Sequence, residues 1–372
     1  VLPVKALLEQ YKSSDSPVIK QLDISFIQHS LERIDDDDRR ELIPIAIKGS
    51  SADKGQPRAG PFFRIILRLL LDVRIPPRGS KDDEAFRDSI GLSDTADAEY
   101  VAQMIGLFLR LRTPVGSKTW AEANPTFSQE ELETVSVDNF DTQKIFQRLS
   151  ELKVKLVTFL ASGALTDEEK FLPALYAASS FDNRVASIAE EIVKRTSVSL
   201  EDGDLVKKLF NAHSMLPAAY RTRILSMLSK SSVSATMPDQ IMAVVKLDFM
   251  SQQDDVGSDE ALHPKSSLER TKLHKALFQY LSWVARIGPS TDDFTIGPQL
   301  TQSMMSYVES QGWPVPEETS HDDIALRSKA YESIGMLSRS ARMSIKERVD
   351  LATWLFRSLS EDPTNEAVVN ID

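Results

Sequence analysis

The chain has 372 residues, 41% hydrophobic and 27% charged, the profile of a foldable protein too long for one small helical core. Its 44 basic and 55 acidic residues give a formal charge of −11, which argues against nucleic acid as a partner and against general attraction to anionic lipid. With no cysteine, a disulfide framework, a thiol nucleophile and a Cys-liganded zinc site are excluded.

In chain order, the run Asp35 to Asp38 directly precedes Arg39-Arg40-Glu41-Leu42-Ile43. Those carboxylates read as a helix start, where negative charge meets the positive end of the helix dipole, rather than as a cation site. Gly49 to Gly60 follows a helical pattern and reads as a turn. Phe62 to Val73 is the most apolar stretch, but Arg64 and Arg68 interrupt it and it is too short to span a bilayer, so no membrane insertion is expected. The loop Arg74-Ile75-Pro76-Pro77-Arg78-Gly79-Ser80 comes next, stiffened by two prolines, with Ser80 and Asp83 spaced as a capping box. Arg74, Pro76, Pro77 and Arg78 are candidate partner contacts, since arginine is favoured at interfaces. The plainer reading of the same loop is a rigid corner between helices.

Residues 1–112 thus form a first block of helical hairpins, and 113–141, poor in aliphatic residues and holding two prolines, form an irregular connection. Residues 142–372 form a second block. Ile145, Leu149, Leu152, Leu156 and Leu160 line one face of a helix. Phe171-Leu172-Pro173-Ala174-Leu175 opens another, Asp182 marks a turn, and Val185, Ile188, Ala189, Ile192 and Val193 line the helix after it. Leu216-Pro217, Met237-Pro238 and Gly288-Pro289 mark further breaks, and residues 251–267 read as a solvated loop. Trp313, in a Pro-rich loop, is a further candidate contact. Asp322-Asp323 reads as a turn before Leu326, Arg327, Ala330, Gly335 and Leu337. Leu351, Trp354, Leu355 and Leu359 make a last apolar face, with Asp362-Pro363 as its turn and Val368 opening one more helix. No alternating run is long enough for a sheet, so the chain reads as about sixteen helices, all-α.

Short one-faced helices bury their faces by stacking, and the turns recur with a period. Asp323 and Asp362 are separated by one interval of about 40 residues, Asp182 and Asp323 by three of about 47, the HEAT range. In that pattern Asp182, Asp323 and Asp362 are turn carboxylates, Val185 and Ala330 pack between helices, and Arg327 reaches a turn carboxylate of its own or the neighbouring repeat. The fold expected is a HEAT-like α-solenoid of stacked hairpins.

Catalytic patterns are absent from the sequence. The five histidines form no His-Glu-x-x-His pair, Asp254-Asp255-Val256-Gly257 lacks the ligand order of a calcium loop, and no phosphate-cradling Gly-x-x-x-x-Gly-Lys loop or Gly-x-Ser-x-Gly elbow occurs. No catalytic residue, metal or cofactor is expected, and the chain is read as non-enzymatic.

Three segments in order resemble one family. They are Leu2-Pro3-Val4 through Leu7-Leu8 and Gln10-Tyr11, then Ala177-Ala178-Ser179-Ser180 with Val185 and Ser187-Ile188-Ala189, then Ile334-Gly335-Met336-Leu337-Ser338-Arg339. They are similar to the N-terminal part of the large HEAT-repeat proteasome adaptor family. The resemblance implies a scaffold that binds core and regulatory particle subunits of the 26S proteasome and stabilises or quality-controls the holoenzyme; with no signal peptide visible in the sequence, cytoplasm and nucleus are the expected locations. It also implies links to endosomal, endoplasmic-reticulum and degradation machinery. Family members are several times longer, and the chain opens on Val1 and closes inside a helical pattern, so a piece of a longer protein is expected. An importin-type nuclear transport receptor is the alternative, but Trp120, Trp283, Trp313 and Trp354 lack the regular spacing such a receptor uses.

Overall fold

The computed structural model describes residues 4–50, 60–114, 116, 118–135, 149–250, 263–288, 295–311, 321–340 and 343–362. Among these are eighteen α-helices, two short 3-10 turns and no strand, so the expected all-α fold is found. Contacts divide the chain into two compact units, Val1–Val198 and Ser199–Asp372.

The first unit holds α1 (Val4–Ser13), α2 (Pro17–Ser30), α3 (Asp36–Ser50), α4 (Gly60–Asp72), α5 (Asp83–Ser89) and α6 (Thr95–Arg110). It continues with α7 (Trp120–Ala123), α8 (Gln129–Val135), α9 (Leu149–Leu160), α10 (Asp167–Ala178) and α11 (Asn183–Arg195). Helices α1 and α2 pair, as do α3 and α4, with α1 also touching α3 and α2 touching α4. That is the signature of hairpins stacked in two layers. Further along, α10 packs on both α6 and α11. A close approach makes the α6–α10 contact possible: Gly106 faces the Tyr176 ring and the Pro173 ring, which a side chain there would meet at 3.4 and 3.6 Å. Pro173 does not open its helix as the repeat pattern suggested. Helix α10 starts six residues earlier, under a capping box of Thr166 and Glu169, and carries Pro173 inside.

The stretch read as an irregular connection contains α7 and α8. Thr119 and Glu122 cap α7 reciprocally. Buried Asn124 then accepts from the Arg112 N–H at 2.7 Å and donates to the carbonyls of Arg112 and Trp120, both at 2.9 Å. Arg110 ties α8 to α6, meeting Glu131 at 3.0 Å while stacked over the Phe127 ring. Cap chemistry rather than aliphatic burial holds this region, which is why hydrophobic periodicity passed over it.

The second unit is more regular. It comprises α12 (Gly203–Met215), α13 (Ala218–Leu228), α14 (Pro238–Met250), α15 (Ser267–Ile287), α16 (Gly297–Ser310), α17 (His321–Ser340) and α18 (Ile345–Glu361). In one layer α14 touches both α12 and α16, and in the other α15 touches both α13 and α17. The pairs α12–α13, α14–α15 and α16–α17 are the hairpins. The core is aliphatic and aromatic: Leu209, Leu225, Leu277, Phe278, Leu300, Ala330 and Tyr331 are all fully buried. Helix α18 buries Leu351 and Trp354 but leaves Leu359 44% exposed, so the apolar face expected there is only partly covered.

Candidate functional site

The loop after α4 is a pinned corner. Asp35, just before α3, accepts from the Asp38 N–H at 2.9 Å and so caps the helix. Its neighbour Asp36 accepts from the Arg74 N–H at 2.6 Å and from Arg40 Nε at 3.1 Å, and Arg40 Nη2 donates to the Arg74 carbonyl at 3.2 Å. The acidic run therefore starts a helix and also fixes the corner. The expected Ser80–Asp83 capping box does not form. The residue before α5 is Asp82, without a side-chain cap, and Asp83 instead accepts from the Gly79 N–H at 2.9 Å. Gly79 takes φ +77°, the left-handed conformation that a turn with such a reach-back requires. Arg74, Pro77 and Arg78 are exposed and Pro76 is half-buried. Arg78 lies 3.7 Å from Asp167, a carboxylate already engaged by Lys170 and the Ser197 N–H. Trp313 lies outside the described residues.

The repeat positions take three different roles. Asp182 is the N-cap of α11, accepting from the Arg184 N–H at 3.0 Å, and Val185 one turn on is fully buried. Hydrogen bonds from the Arg184 guanidinium and the Ser150 hydroxyl hold the Asp182 carboxyl well below the usual range. Asp323 sits inside the first turn of α17 rather than in a turn between helices, with its carboxylate near the positive end of the helix. Arg327, one turn further along, reaches the neighbouring repeat: its Nε donates to Asp362 Oδ2 at 2.5 Å. Asp362 ends α18 and is buried, and it also accepts from the Tyr331 hydroxyl at 2.8 Å. Pro363 and Val368, read as the turn and next helix, lie outside the described residues.

A polar cluster in the second unit escaped the sequence reading. Asp248 of α14 is buried, and its carboxylate accepts from Arg221 Nη1 at 2.8 Å and His213 Nε2 at 3.0 Å. The Asp248 carbonyl meets His274 Nε2 at 3.2 Å, and His274 Nδ1 lies 2.8 Å from the Tyr307 hydroxyl. Burial lowers the His274 pKa. A neutral ring donating at Nε2 and accepting the tyrosine proton at Nδ1 fits both contacts. A cleft of about 390 Å³ beside this cluster is lined also by His263, Pro264, Arg270 and Leu273. The Asp248 carboxylate joins α12 and α13 to α14, and the Asp248 carbonyl reaches α15 through His274 and, beyond it, α16 through Tyr307. Both Asp248 oxygens are occupied, and no cysteine or activated hydroxyl lies among the residues named. Among the described residues, no group of three or more acidic or histidine side chains is placed to hold a metal, and no helix is long and apolar enough to cross a membrane.

With this geometry in place, comparisons with known proteins add a family. A family model described as proteasome component ECM29, N-terminal, matches residues 1–372. Among curated proteins, the chain is similar to proteasome component ECM29 of Saccharomyces cerevisiae, 20% identical over 407 residues, an alignment covering 97% of this chain and 20% of the relative. The chain thus spans about a fifth of the length of that curated relative. No solved structure matches.

Proposed function

The chain belongs to the proteasome component ECM29 N-terminal family, and on that premise we propose that it serves as a non-enzymatic adaptor for the 26S proteasome. The observation that carries the proposal is the family match over the whole of residues 1–372. Two features of the molecule support it. Stacked hairpins offer successive loops and helix faces to a protein partner, the usual use of such folds. The buried polar groups, moreover, are engaged in joining helices: Asp248 pairs with Arg221 and His213, and Asp362 with Arg327 and Tyr331, each partner coming from another helix. In this reading the protein contacts subunits of the core and regulatory particles and favours the assembled holoenzyme, in cytoplasm and nucleus. The Arg74–Arg78 corner is one contact, held rigid by Asp36 and Arg40 so that little order need be gained on binding.

Purification of the tagged full-length protein from cell extract tests this. Core and regulatory particle subunits should be recovered in stoichiometric proportion to each other. Recovery of neither, from extracts in which assembled proteasomes are abundant, overturns the reading.

A further inference from the structure

Helix α2 divides into two faces by simple helical register. Asp23, Ile27 and Ser30 are buried, whereas Val18 is 66%, Leu22 52% and Phe26 50% exposed. Val18, Leu22 and Phe26 are four residues apart and so form one ridge, with Ile19 beside it at 38% exposure. Three large side chains in line, spanning about 12 Å of helix, are not the scattered surface apolar residues that need no explanation.

The second observation is independent of the ridge. Asp23 lies on the row next to Ile19 and Leu22, at the seam between the exposed and buried faces. It is 4% exposed, yet its Oδ2 has no hydrogen-bond donor among the described residues. A carboxylate taken out of water without a partner is costly, and a cation supplied from outside removes that cost. Two polar groups on the same helix are satisfied locally: the Ser30 hydroxyl donates to the Phe26 carbonyl at 2.7 Å, and His29 Nδ1 lies 2.7 Å from the Ser25 carbonyl.

We propose that this face of α2 is a docking site for one amphipathic helix of a protein partner, whose apolar row packs along Val18, Leu22 and Phe26 and whose Lys or Arg reaches Asp23. A ridge at spacing four is the shape that fits the groove of another helix. An anionic lipid surface is disfavoured because it would bring negative charge to Asp23, whose Oδ2 has no donor among the described residues. A second copy packing α2 against α2 is also disfavoured. The helix has a single lysine and no arginine, and that residue, Lys20, lies over the Tyr11 ring at 5.4 Å. The inference stands whichever protein supplies the helix, so it does not depend on the proteasome reading.

The test places a photo-activatable phenylalanine analogue at Phe26 in the full-length protein, isolated with its bound partners, and maps the cross-linked peptides. A single dominant partner peptide is expected, with apolar residues at helical spacing and a basic residue within one turn of the cross-link. Leu22→Asp, at an exposed position that leaves the core intact, should lower the cross-link yield at least tenfold. Asp23→Lys should do the same, and exchanging the partner's basic residue for Glu should restore it. Cross-links confined to lipid, to a second copy of this chain or to a peptide without a basic residue overturn the proposal, as does an undiminished yield in Leu22→Asp.

Discussion

At Asp362 a single carboxylate joins two repeats, and its environment sets what its loss would do. Its side chain is wholly buried and Arg327 is 8% exposed, so neither charge can turn to water if the other is removed. Burial, with Asp362 alongside, also pushes the Tyr331 hydroxyl pKa up, keeping it a proton donor to Asp362 across the usable pH range. Arg327→Ala should therefore destabilise the second unit by about 3–5 kcal/mol, read as a lowered urea midpoint. Lys153 of α9 gives the opposite kind of case. It donates to the Leu111 carbonyl at 2.7 Å, and burial, aided by Arg112, lowers its pKa from the ordinary 10.5 to about 8. Below pH 8 both the folded and unfolded chains hold the proton, and the folded one carries the desolvation penalty. Between about 8 and 10.5 the unfolded state binds more protons, so stability rises with pH. Lys153→Met removes this dependence. The stability of the wild type relative to the variant should improve by about 2–3 kcal/mol between pH 8 and 10.5, measured by denaturant titration at each pH. A flat difference would show an ammonium already solvated when folded. Neither arrangement was visible as a pKa or a distance in the sequence, but the Arg327 position was, because repeat geometry dictates which neighbour a side chain can reach.

Helices were legible wherever one apolar face repeated, as in α11, where Val185, Ala189, Ile192 and Val193 are all buried as their spacing requires. The polar contacts that fasten elements were not. Helix α5 has one buried apolar residue, Phe86, and is fastened by Arg87, which donates to both Glu169 oxygens at 2.9 and 2.8 Å and to the Ala164 carbonyl at 2.8 Å. Those partners lie some 80 positions away along the chain, beyond any local pattern. Glu169 is also the reciprocal partner in the capping box that starts α10, so one carboxylate both begins a helix and clamps another. Arg87→Ala should cost the first unit about 3 kcal/mol, since a largely buried bidentate pair is broken and Glu169 is left with its cap alone. Arg87→Lys should recover only part of this, because an ammonium cannot match the planar two-point geometry. Thermal unfolding of the three proteins separates the cases, and equal midpoints for wild type and Arg87→Ala would show that the clamp is solvated. The Asp248 cluster was hidden for the same reason: His213, Arg221, Asp248 and His274 meet only once α12 to α15 are stacked.

On the scale of the molecule, an adaptor works by making a second attachment intramolecular after the first. Its benefit then comes from effective concentration and vanishes when either attachment is lost. Each contact can be individually weak in such a scheme, so the proposed corner at Arg74–Arg78 and the proposed ridge on α2 need not hold a partner alone. The formal charge of −11 adds a condition: where the chain meets basic partner surfaces, attachment gains from long-range attraction that salt screens within about 8 Å at physiological strength. Removing residues 1–372 from the full-length protein should therefore lower the fraction of holoenzyme that survives washing, with the gap between truncated and full-length protein widest at low salt and narrowing as salt rises. Native gel separation of doubly and singly attached particles after each wash reads this directly. Equal protection by the truncated protein at every salt concentration would place the attachments elsewhere in the longer chain. A gap that persists unchanged at high salt would mean that apolar contacts, such as those available to Val18, Leu22 and Phe26, carry the attachment in place of charge.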